Sequence, residues 1–65
     1  MFEQYSMVKV NKDCEITDSL TGRLCLVLNA SVGTVVEILD TSGVYEVEFG
    51  DLGVVGTFHK DDLYE

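Results

Sequence analysis

Glu37, Glu46 and Glu48 fall in the stretch GTVVEILDTSGVYEVEFGD, which contains no Lys or Arg. Carboxylates placed this way can do two kinds of work: pass protons as an acid–base pair, or hold a cationic group by charge. Acid–base work on a substrate needs a concave cleft between the carboxylates, and a chain of 65 residues has little depth for one. Charge recognition needs only a shared face. The other chemistry-bearing residues are scattered. His59 is the sole histidine; with Cys14, Cys25, Asp61 and Asp62 it supplies metal-binding atom types, but no C-x-x-C or H-x-x-x-H spacing occurs. A Cys–His nucleophile would need Cys14 or Cys25 folded against His59, and nothing in the sequence brings them together. Neither G-x-G-x-x-G nor a P-loop is present. The sequence therefore implies no catalytic residue, no metal and no cofactor.

What must position the glutamates is a β-hairpin. In VYEVEF, side chains alternate, so Tyr45, Val47 and Phe49 share one face and Glu46 and Glu48 the other. In TVVEIL, Val36 and Ile38 lie opposite Val35, Glu37 and Leu39. A turn over Asp40 to Gly43 sets Leu39 across from Val44, pairs Ile38 with Tyr45 and Val36 with Val47, and brings Glu37 directly across from Glu46. If the turn shrinks to Ser42-Gly43, Glu37 meets Glu48 instead. A slip by one residue would drive Glu46 and Glu48 into the core. In either register two carboxylates meet on the outer face, an unfavourable pairing on the order of 0.2–1 kcal/mol. Asp40 and Asp51 stand at the hairpin's two turns and extend the acidic surface; Asp in turns also serves the backbone.

The rest of the chain reads as strands recurring every eight to twelve residues, with weak helical periodicity. MVKV alternates. NKDCEITDSLTG is a polar loop with an extended piece around Cys14 to Ile16. RLCLVLN, almost wholly apolar, suits a strand covered on both faces, with a helical turn as the other option. GDLGVVGTF supplies a turn and a strand, and HKDDLYE a polar turn and a short last strand. Residues 1–65 form a single domain, with residues 1–6 either packed back through Phe2 and Tyr5 or frayed. Tyr64 and Tyr5 are candidate interface anchors.

Twelve Asp and Glu against four Lys and Arg give a net charge of −8. That balance disfavours direct contact with nucleic acid or an anionic membrane, both of which need cationic side chains. It steers the chain toward basic protein surfaces, including the nucleic-acid grooves of other proteins. Acidity that merely keeps a small protein soluble is the plainer alternative. Two cysteines are too few for a disulfide scaffold. The opening MFEQYSMVKV has neither the basic nor the apolar region of a signal peptide. The expectation is a cytoplasmic protein with reduced thiols.

VGTVVEIL, a short turn, VYEVEF, a glycine turn, VVGTF and the polar turn HKDD before LYE resemble, in that order, the second half of an SH3-like barrel. The pattern is similar to that of a small bacterial SH3-like family of unknown function, matched here at Gly33 to Glu37, Tyr45 to Phe49, and Asp61 with Leu63. NASV stands where that family has a Gly-Asp turn. The resemblance implies an all-β barrel of five or six antiparallel strands with a short 3-10 turn before the last strand. It transfers no catalytic residues, so function must come from the surface. The surface implies an acidic protein-binding module that docks on a basic face of a larger protein and blocks it. Glu37, Glu46, Glu48, Asp40, Asp51 and Tyr64 are the candidate binding residues. Size and charge together suit a phage or mobile-element inhibitor of a nucleic-acid-targeting defence enzyme, of anti-CRISPR or anti-restriction type. The alternative is an accessory subunit that binds through barrel loops or edges, with the acidity incidental.

Overall fold

Alternation of apolar and polar side chains builds the centre of the molecule: Tyr45, Val47 and Phe49 are buried, while Glu46 and Glu48 between them point outward. The computed structural model describes residues 1–65. In chain order it contains β1 (Met7–Val10), β2 (Cys14–Thr17), β3 (Leu24–Val27), β4 (Val32–Asp40), β5 (Val44–Phe49), β6 (Val54–His59), a 3-10 turn (Lys60–Asp62) and β7 (Leu63–Tyr64). Five strands form one antiparallel sheet in the order β6-β5-β4-β1-β7, and β2 and β3 form a separate hairpin. This is the small all-β antiparallel fold implied by the sequence, with the 3-10 turn ahead of its last strand, and it has seven strands where five or six were expected. The polar stretch 11–22 contributes β2, where an extended piece around Cys14 to Ile16 was expected within a long loop, and the turn of the second hairpin.

The core gathers Val8, Val10, Ile16, Val27, Val35, Tyr45, Val47, Phe49, Phe58 and Leu63 from every strand. Phe49 and Phe58 meet edge to face with centroids 5.5 Å apart. Backbones come close enough that Gly33 has no room for a side chain: a Cβ there would sit 2.5 Å from Val47 Cγ1 and 2.9 Å from Phe49 Cε1.

Asp18 docks the second hairpin onto β6. One of its carboxylate oxygens accepts from the Val55 and Leu20 amides, each at 3.1 Å, and the other from the Thr21 hydroxyl at 2.8 Å. The Ser19 amide donates to the Val55 carbonyl beside it at 2.8 Å. A buried carboxylate is tolerated there because every lone pair that faces inward has a donor.

The first six residues form a strap along β4. The Phe2 ring stands edge on to Tyr45, and the Phe2 amide donates to the Tyr45 hydroxyl at 3.1 Å. Tyr5 donates to the Val35 carbonyl, Val35 donates back to the Ser6 carbonyl, and the Gln4 side chain donates to the Val36 carbonyl at 3.0 Å. Tyr5 itself is exposed and left-handed, with φ 69°.

Two expectations need correction. β4 is not regular: its register with β5 shifts between Val35 and Glu37 and again between Ile38 and Asp40. Ile38 does pair with Tyr45, but Val35 rather than Val36 lies across from Val47, and Asp40 rather than Leu39 from Val44. Val36 and Leu39 are the extra residues, each a local bulge that lets β4 curl around the core. RLCLVLN is not covered on both faces: Val27 is fully buried and Cys25 half-buried, whereas Leu24, Leu26 and Leu28 are exposed.

Candidate functional site

The register of the main sheet arranges its outer face in rows. Glu37 lies directly across from Glu46, which in turn faces Thr57 of β6. In the next row Met7, Thr34, Glu48 and Val55 stand side by side across β1, β4, β5 and β6. The bulge at Val36 decides this arrangement. With Val35 paired to Val47 and no extra residue, Val36 would stand across from Glu46 and Glu37 would turn inward. One inserted residue, held by Gln4, thus puts the third carboxylate outside.

No cation of the chain neutralises the three glutamates. Its one ion pair is Lys12–Asp62, at 3.1 Å, and the 3.3 Å contact of His59 Nδ1 with the Asp61 carboxylate likewise involves none of the three. Lys60 lies with its aliphatic stem over Gly43, beyond the turn end of the hairpin. Glu37 and Glu48 are exposed and Glu46 half-buried beside Thr57. Like charges directly opposite on adjacent strands cost roughly 0.2–1 kcal/mol, so the face is held slightly unfavourable by the fold beneath it.

The other candidates take different places. Asp40 ends β4, and its carboxylate accepts from the Ser42 amide at 2.9 Å. The Ser42 amide and then the Ser42 hydroxyl hold it below the ordinary carboxylate range, so Asp40 belongs to the turn. Asp51 sits at the opposite end of the hairpin, in the turn between β5 and β6. Tyr64 lies on β7, separated from β5 by β1 and β4, and its half-exposed ring is 6.0 Å from Lys9 Nζ. The structure brings Glu37, Glu46 and Glu48 onto one face, sets Asp40 and Asp51 at its two ends, and leaves Tyr64 apart. His59 caps the 3-10 turn, its Nδ1 accepting from the Asp61 amide at 3.3 Å. Burial and the nearby Asp62 carboxylate push the Cys14 thiol up, which makes it a poorer nucleophile at neutral pH. No three His, Cys, Asp or Glu side chains converge as metal ligands would, and no helix is long and apolar enough to cross a membrane.

One surface is absent from the sequence reading. Leu24, Leu26 and Leu28 stand 68%, 59% and 55% exposed along β3 and just beyond it. Beside them opens a groove of about 250 Å³, lined by Leu26, Leu28, Val32, Phe49 and Leu52, with Asp51 in its wall. The signal was in the run LCLVL, whose apolar residues at every position hide which face is outside. In comparisons with known proteins, the chain matches no family model, no curated protein and no solved structure.

Proposed function

We propose that this chain is a non-catalytic, acidic protein-binding module that works in the cytoplasm by docking its Glu37, Glu46 and Glu48 face on a basic surface of a larger protein and blocking it. The observation that carries this reading is the direct opposition of Glu37 and Glu46 with no cation of the same chain beside either. An arginine or lysine cluster would turn that unfavourable pairing into charge-assisted hydrogen bonds. A nucleic-acid groove is the surface of this kind that fits best, because its cations are already spaced for a run of negative groups and carboxylates can stand in for phosphates. Blocking such a groove is what an inhibitor of a nucleic-acid-targeting defence enzyme does.

The test is capture from the native cell lysate with the wild-type chain and with the double variant Glu46→Lys/Glu48→Lys, followed by mass spectrometry. The expected result is a basic protein whose retention falls at least tenfold in the variant and falls steeply as salt is raised. Competing nucleic acid should release the same protein. Capture indifferent to charge reversal and to salt would overturn the reading.

A further inference from the structure

The exposed leucines of β3 sit on a strand that is open along one side. β3 pairs with β2 alone. The Asp18 amide donates to the Arg23 carbonyl at 2.8 Å, so residues 18 and 23 are a bonded pair. By the alternation of antiparallel ladders, 16 with 25 and 14 with 27 are bonded pairs too. The amides and carbonyls of Leu24 and Leu26 therefore turn away from β2 toward the open side. Only a weak 3.7 Å contact from the Cys25 thiol reaches the Leu26 carbonyl. Natural sheets blunt an open edge with charge, proline or a bulge. β3 has none of these, and it carries leucine on its outer face besides.

Charge decides what can cover this edge. Glu15 pairs with Leu26 across the hairpin and shares its face, and Asp51 lies in the wall of the groove. Of the cations nearby, Arg23 precedes Leu24 at the end remote from Leu28, Lys12 is paired with Asp62 at 3.1 Å, and Lys9, across from Val32, has its Nζ 6.0 Å from the Tyr64 ring. A second copy would bring its own Glu15 and Asp51 and another net charge of −8 onto the same surface, so self-pairing is disfavoured. An extended segment with apolar side chains and a Lys or Arg fits the leucines, the groove and the carboxylate together.

We propose that β3 captures such a segment of another protein by strand addition. The segment lies beside β3 as a third strand of the hairpin sheet. Its backbone pairs with Leu24 and Leu26, its apolar side chains cover the leucines and enter the groove, and its cationic residue meets Asp51. This surface adds to the glutamate face and stands independently of it.

The test uses the isotopically labelled full chain and a short synthetic peptide of alternating valine and lysine. A second peptide of equal charge carries N-methyl groups on alternate backbone nitrogens and cannot pair. The first peptide should slow hydrogen exchange of the Leu24 and Leu26 amides at least tenfold, and the second should not. Asp51→Lys, a change in an exposed turn, and Leu26→Asp should each weaken binding about tenfold, whereas Glu46→Lys/Glu48→Lys should leave the protection at β3 in place. Equal binding of both peptides, or no protection at Leu24 and Leu26, would overturn the proposal. So would self-association of the free chain that protects the same two amides, since the occupant would then be a second copy.

Discussion

Asp18 is the one charged side chain held out of water, and it ties the second hairpin to the sheet. The Val55 amide, then the Thr21 hydroxyl and the Leu20 amide, outweigh the opposing effect of burial and hold its carboxyl below the ordinary range. A lowered folded value means stability that is full above the unfolded aspartate value of about 4 and lost as pH falls from there through the folded value. Urea unfolding of the wild type should show a loss of stability below about pH 4, and Asp18→Asn should flatten that loss. Asp18→Ala, which leaves the Val55 and Leu20 amides without an acceptor, should lower the unfolding midpoint at neutral pH more than Asp13→Ala does. Asp13 accepts only from the Asn29 amide in an exposed position. Equal effects of the two alanine variants would show that the barrel does not depend on the Asp18 anchor.

At the scale of elements, the outer face of the β4–β5–β6 sheet sets two demands against each other. Thr57 already flanks Glu46 on β6, and a Thr at position 46 would extend a favourable cross-strand row. Glu46→Thr is expected to raise stability by about 0.2–1 kcal/mol, read by urea unfolding, while weakening capture of the basic partner. A loss of stability instead would mean that Glu46 has a structural role which the register does not reveal. The parity of β5 was legible because its polar positions are glutamates, and the core residues Tyr45, Val47 and Phe49 followed from it. The bulges at Val36 and Leu39 were not legible. Neither carries the Gly or Pro that marks an irregular strand, and the first is held by Gln4 from the far end of the chain. The strand of β3 was legible but its exposure was not, since a run without polar residues has no period to read. The polar loop hid a hairpin because the acceptor that organises it, Asp18, serves an amide 37 positions away.

For the whole molecule, a net charge of −8 on 65 residues makes self-repulsion a term in folding itself. The compact state brings these charges closer than the unfolded chain does. Screening shortens their reach from about 10 Å at 0.1 M salt to about 3 Å at 1 M. The thermal midpoint should therefore rise as sodium chloride is added, while affinity for a basic partner falls. A midpoint that drops with salt would show that the Lys12–Asp62 pair and its like outweigh the repulsion. Opposite responses of folding and binding to one variable would separate the two roles of the acidic surface in a single titration.

The strap at the start of the chain bears on how the molecule should be handled. Gln4 is bonded to the bulge next to Glu37, and Phe2 to Tyr45. A polyhistidine handle fused ahead of Met1 would be tethered within a few residues of three unmatched carboxylates. Once protonated it would act as a built-in competitor at high effective concentration, so interaction partners are best sought with the handle at the other end.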